Sequence, residues 1–350
     1  MIYAPVIIPT LCRYEHFVRC IESLKKNTWA KYTDVYVALD YPAKETHREG
    51  YEKIKAYLKK DFIEFRKFTV LERNKNYGAG NNSKDLRQYC FEKYGRYIIM
   101  EDDIECSTNY LQYMDIMLDK YENDDSVIAV TGYCPPIQLT HKEGANAVKQ
   151  QLQAYTWGFG RWKNKTQIAR KCISHSYLVK KFDDVYSSKK IFRMTNWAIT
   201  DYIRSVVYSD FLNKGLENLT DVTTRIFLTV EDKYVIMPTI TKTRNLGFDG
   251  SGLYCPAVNY CDNGSITSTN YDYAHQPIDD SNSYEPVVDE DFDNDLNREI
   301  FNEYDYVSDK DLKKHLNDAE IYCNHGDVWR KAQRIRIFIR RGIMHIKRKV

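Results

Sequence analysis

This sequence has neither the paired cysteines of a zinc module nor the cysteine density of a disulfide scaffold. Its nine cysteines are an odd number, scattered without a CxxC pair, so they fit no knuckle and no stapled secreted domain. Reduced thiols and a cytosolic chain are the expectation. No apolar run comes near the roughly 18 residues that cross a bilayer. The opening MIYAPVIIPTLCRYEHF lacks the basic start and the cleavage site of a signal peptide, and reads better as a first strand. Also missing are GxxxxGK[ST] and GxGxxG, which excludes a Walker loop and a dinucleotide fingerprint.

What is present suits a folded enzyme-sized chain. Hydrophobic residues make up 43% and charged residues 29% of 350 positions, enough apolar surface to bury a core. That length fits one large α/β domain with an appendage, or two modest domains.

The net charge of +2 hides two opposed blocks. Residues 329–350 hold nine Lys or Arg and no acid, leaving residues 1–328 at −7. Residues 276–311 hold thirteen acids against Arg298 and Lys310, a balance of −11. With Pro, Ser and Asn and little apolar periodicity, this acidic stretch is expected to be a solvated connector rather than core. In the tail, Ala332, Ile335, Ile339, Ile343 and Ile346 recur at helical spacing among arginines and lysines. Such a basic amphipathic helix suits an anionic membrane surface; docking on the acidic stretch and RNA binding are the alternatives. Nothing else resembles a nucleic-acid motif, so no nucleic-acid partner is expected. The expected organisation is therefore a domain over residues 1–275, an acidic connector over 276–311 and a basic helical tail over 312–350.

Along the chain, residues 4–10 (APVIIPT), 34–40 (DVYVALD), 65–72, 96–100 (RYIIM) and 127–131 read as strands. Residues 16–27, 46–60, 84–93 and 109–121 read as the helices between them. This alternation predicts βαβ units and a mostly parallel sheet, in which ligands bind beyond the carboxyl ends of the strands. Arg13, Asp40, Asn76 and the triplet Glu101, Asp102, Asp103 all fall just past such ends. Adjacent carboxylates there suit Mg²⁺ or Mn²⁺ when a diphosphate supplies the other oxygens, although acidic pairs at such boundaries are mostly solvated.

Three further segments bear on the site. Asn74-Lys-Asn-Tyr-Gly-Ala-Gly-Asn-Asn places glycines and amides before a helix, suited to close approach by a polar ligand. Tyr155-Thr-Trp-Gly-Phe-Gly-Arg-Trp-Lys sets Trp157 and Trp162 beside glycines. They form either a face for a sugar ring or core tryptophans in a tight turn. Asn245-Leu-Gly-Phe-Asp-Gly-Ser-Gly gathers Gly247 and Gly250 around Asp249, as a mobile loop over a site would.

Together these segments resemble GT-A fold glycosyltransferases, in particular the bacterial polysaccharide and capsule enzymes related to eukaryotic N-acetylglucosaminyltransferase I. The resemblance is carried by VIIPTLCRYEHFVRCIESL, Asp40, NYGAGNN, IIMEDDIECSTNYLQYM, WGFGRWK, NWAITDYI and PTITKTRNLGFDGSGLYC, in order across roughly residues 3–260. It implies a Rossmann-like open mixed, mostly parallel sheet flanked by helices. It further implies metal-dependent, inverting transfer of a sugar from a nucleoside diphosphate donor, UDP foremost, to a hydroxyl of a glycan or lipid-linked acceptor in surface polysaccharide synthesis. By that likeness Arg13 and Asp40 hold the base, and Asn76, Trp157, Gly247 and Gly250 line the donor pocket. Glu101 and Asp102 lie near the ribose and donor sugar, and Asp103 binds Mn²⁺ or Mg²⁺. Asp201 is the base, with Asp249 its rival. Tyr254-Cys255 stands where the bacterial relatives have His-Cys, so a histidine metal ligand is not implied. An acceptor on a membrane lipid gives the tail a purpose: peripheral attachment to the inner face of the cell membrane. The rival readings are a sugar-nucleotide pyrophosphorylase, which wants a Gly-rich basic signature where PTLCRYEH stands, and a non-catalytic sugar-binding scaffold.

Overall fold

The computed structural model describes residues 2–172, 220–252 and 273–305, with six isolated helical positions between Val328 and Ile339. Asp201 and the NWAITDYI segment lie outside the described residues.

The apolar run after Ala4 forms β1 (Val6–Thr10), and its alternation decides how the sheet is covered. Val6 and Ile8 pack with Phe17, Ile21 and Leu24 of α1 (Tyr14–Lys25) and with α4 (Tyr110–Lys120). Ile7, pointing the other way, packs with Leu86, Cys90 and Phe91 of α3 (Gly78–Tyr94). A strand buried on both sides reads as a continuous apolar run, as this one does.

Around β1 the chain lays down β2 (Asp34–Leu39), α2 (Arg48–Tyr57), β3 (Lys67–Glu72), β4 (Arg96–Ile99) and β5 (Ile104–Cys106). Next come β6 (Val127–Thr131), β7 (Ala147–Gln150), β8 (Phe159–Trp162), α5 (Lys163–Cys172), α6 (Thr220–Val230), β9 (Tyr234–Pro238), β10 (Thr243–Asn245), β11 (Val288–Asp289) and α7 (Asn294–Asp305). Nine strands form one sheet in the order β11-β7-β9-β6-β8-β4-β1-β2-β3. The sheet is mixed and mostly parallel: only the pairings of β8 with β4 and β6, and of β7 with β9, run antiparallel. β5 and β10 make a separate antiparallel pair.

The strand expectations hold to within two residues, and two other expectations are corrected. The Gly-Ala-Gly-Asn-Asn run is not a loop ahead of a helix; it is the first turns of α3. Low intrinsic propensity is overcome there because Asp40 accepts hydrogen bonds from the Tyr77 and Gly78 amides at 2.8 and 2.9 Å, satisfying donors that a helix start leaves open.

The acidic stretch, expected to be solvated, is built into the fold over residues 276–305. It supplies β11 to the main sheet and buries Tyr284, Phe292 and Phe301. Its charge is partly spent on partners: Asp279 pairs with the buried Lys242, and Glu290 with Lys120 at 3.0 Å. No helix is long and apolar enough to cross a membrane among the described residues.

Candidate active site at the sheet switch point

β1 is followed by α1 and returns as β2 on one side, while β4 lies on its other side. The crevice beyond the carboxyl ends of β1 and β4 is therefore a topological switch point, where open α/β sheets bind ligands. The turn after β1 brings Arg13 there. The turn after β4 brings Glu101, Asp102 and Asp103, of which the first is exposed and the other two buried.

Arg13 spans the two buried acids. One guanidinium nitrogen pairs with Asp102 and the other donates to Asp103 Oδ2 at 2.8 Å. Thr10 Oγ1, at the last residue of β1, donates to Asp102 Oδ2 at 2.8 Å. Burial pushes the Asp102 carboxyl above its usual range, and the like charge of Asp103 adds to this while Arg13 opposes it. Burial alone would lower the Arg13 pKa, but the two carboxylates outweigh it and raise it. Asp103 Oδ1 is buried with no hydrogen-bond partner, a costly state for a carboxylate oxygen unless something else binds it.

The glycine loop closes against these acids. Leu246 N donates to the Asp103 carbonyl at 2.8 Å, and Gly247 N to Asn245 Oδ1 at 2.7 Å. A Cβ at Gly247 would come within 2.1 Å of Asp103 Oδ2, so only glycine lets the loop pass this close. Phe248 packs edge-on against Trp157, ring centroids 5.5 Å apart, and Trp157 packs on Tyr133 at 4.4 Å. Gly250 is exposed with φ +85°. Asp249, half exposed, meets His16 Nε2 at 3.1 Å.

The expected residues thus divide. Arg13, Asp102, Asp103 and Gly247 come together. Trp157 borders them through Phe248, half-buried, whereas Trp162 is core, its indole N–H donating to the Leu118 carbonyl at 3.0 Å. Asp40 sits at the end of β2 with its carboxylate accepting from Tyr41, Tyr77, Gly78 and Asn76, and the Asn76 amide also donates to the Tyr41 carbonyl at 2.6 Å. Both hold the turn between β3 and α3 against the end of β2. Sequence reasoning missed Thr10, His16 and Gly50. A Cβ on Gly50 of α2 would fall 1.8 Å from the Cys12 carbonyl oxygen, so α2 rests directly on the turn that presents Arg13. No spacing signal marks Gly50, since its partner lies 38 residues earlier in the chain.

Among the described residues, no three His, Cys, Asp or Glu side chains gather to hold a metal by themselves. What the site offers instead is a buried, unpartnered carboxylate oxygen on Asp103 beside a second carboxylate. That donor set fits a hard divalent cation which takes its remaining oxygens from a phosphorylated ligand.

No family model and no curated protein matches this chain. Partial likenesses are found among solved structures. TarS 1-349 of S. aureus is 14% identical over 48% of this chain and 49% of its own, with a TM-score of 0.33. In complex with UDP-GlcNAc it matches at 16% identity, 40% of this chain, 35% of its own and a TM-score of 0.28. Mannosyltransferase PcManGT from Pyrobaculum calidifontis, in complex with GDP-Man and Mn²⁺, is 10% identical over 47% of this chain and 45% of its own, with a TM-score of 0.33. The match thus spans about half or less of each of these chains. Their nucleotide sugars are theirs, and at this similarity they carry no argument about the chemistry of the present chain.

Proposed function

We propose that this chain is a metal-dependent glycosyltransferase that moves a sugar, with inversion, from a nucleoside diphosphate donor, UDP foremost, to a hydroxyl of a glycan or lipid-linked acceptor in surface polysaccharide synthesis. One observation carries the reading: two buried carboxylates bridged by one arginine, with an unpartnered Asp103 oxygen, at the switch point of an α/β sheet.

Asp103 would hold Mn²⁺ or Mg²⁺ together with the donor's phosphates. When bound, the cation supplies Lewis-acid neutralisation of charge on the departing diphosphate. Arg13 is a cation already seated on both acids, free to turn toward the nucleotide once another positive charge occupies them. Thr10 and Arg13 fix Asp102 near the ribose and donor sugar, with Glu101 beside it. Asp40 acts through the turn that it holds, keeping Asn76 at the base end of the crevice. The loop with Gly247 and Gly250 excludes water, and Trp157 gives a ring for the sugar to pack on. Hydrogen bonds from Ser251 and the charge of His16 hold Asp249 below the usual carboxylate range despite its partial burial. By the resemblance Asp201 takes the acceptor proton, with Asp249 its rival, general-base help worth about 10²–10⁴-fold.

The test is hydrolysis and transfer with a panel of nucleotide sugars and Mn²⁺. Asp103→Asn is expected to lose metal-dependent turnover by about 10²-fold or more with an unchanged melting temperature. Full activity in that variant removes the metal assignment. The tail is assigned to an anionic membrane surface. Its described isoleucines, Ile335 and Ile339, are 53% and 55% exposed on helical positions, as a face awaiting an apolar boundary would be.

A further inference from the structure

We propose that His16 is a positioning residue that pins the glycine loop, residues 246–251, over Asp103. The contact stands on geometry alone; its consequence for donor binding rests on the glycosyltransferase reading.

Arg13 and His16 are three residues apart at the start of α1 and so share a face. Arg13 turns to the two aspartates and His16 to the loop. His16 Nε2 lies 3.2 Å from the Leu246 carbonyl oxygen and 3.1 Å from Asp249 Oδ2. Both are acceptors, so the ring nitrogen between them must carry a proton. One N–H then serves a backbone carbonyl and a side-chain carboxylate of the same loop, while Asp249 Oδ1 takes the Ser251 amide at 2.9 Å. The loop is thus tied to β5 through Asp103, to the aromatic cluster through Phe248, and to α1 through His16. Helix α1 touches both the acids and their cover.

A loop with two glycines loses much conformational freedom when ordered. A tie present before the ligand arrives removes part of that cost from binding. His16 therefore favours donor affinity over the chemical step.

The experiment has two arms. Without nucleotide, His16→Ala is expected to speed amide exchange of residues 246–251 by about tenfold, leaving β1 and β4 unchanged. Asp249→Ala, which removes the side-chain acceptor on the exposed side of the tie, should do the same. With Mn²⁺ and UDP or GDP, His16→Ala should raise the dissociation constant by about tenfold and lower kcat at saturating donor by less than about threefold. His16→Gln, whose amide offers two N–H groups, should restore most of the affinity, and adding Asp249→Ala to His16→Ala should cost little more. Unchanged loop exchange, additive effects, or a loss confined to kcat would overturn the proposal. If the loop loosens as expected but the parent protein binds neither nucleotide, the tie stands and the glycosyltransferase reading falls.

Discussion

At the scale of single residues, the same burial acts differently on two aspartates. Asp103 keeps an open oxygen on a carboxylate paired directly with Arg13; Asp115, in the middle of α4, keeps one on a carboxylate that Arg96 helps less than burial costs it. Its Oδ1 accepts the Ala4 amide at 2.8 Å, and Oδ2 is buried without a partner. Burial pushes this carboxyl up to about 7, with Asp119 adding and the Ala4 amide and Arg96 opposing. A folded-state value above the unfolded one means the native protein holds the proton longer. Stability should therefore fall as pH rises from about 4 toward about 7, and level off above that. Asp115→Asn keeps the acceptor for Ala4 but cannot ionise. Urea unfolding at about pH 5 and about pH 8 should show a shallower decline in the variant, by on the order of a few kcal/mol. Parallel curves would show that Asp115 titrates normally.

At the scale of elements, the placement of α2 decides where Arg13 points. Gly50→Ala forces a methyl into the Cys12 carbonyl, a backbone atom that cannot swing aside. A loss of about 1–3 kcal/mol is expected from such overpacking, with weaker binding of UDP and Mn²⁺ because the neighbouring residue is Arg13. A variant that melts and binds like the parent would contradict this. The contact also marks the limit of what the sequence discloses. β1, β2 and β6 are legible because strands buried on both faces leave unbroken apolar runs, and Asp102 and Asp103 because they follow the apolar end of β4. The start of α3 is not, because its cap comes from Asp40, some 38 residues before Gly78. Nor is the antiparallel insertion of β8, whose four residues carry no mark of direction. His16 and Gly50 escape notice for the same reason: each gains its meaning from a distant backbone atom.

At the scale of the whole molecule, the acidic stretch belongs to the core. Ending the chain at residue 275 would remove Asp279 and leave Lys242, 2% exposed, without its carboxylate. Stranding a buried charge costs about 3–5 kcal/mol, and Tyr284, Phe292 and Phe301 would be lost as well, about 1.5–3 kcal/mol for each such side chain. The 1–275 protein is expected to lack a cooperative thermal transition; a parent-like melt would refute this. Removing residues 329–350 should leave the melt intact and abolish partition onto anionic liposomes. Unchanged partition would refute the membrane assignment.

β11 is only two residues long, Val288 and Asp289, paired with Ala147 and Val148 of β7. Slight as it is, it terminates the sheet on that side. A proteolytic fragment stripped of it would present a bare β7 as a template for an identical fragment, so clipping in the acidic stretch should announce itself first as turbidity.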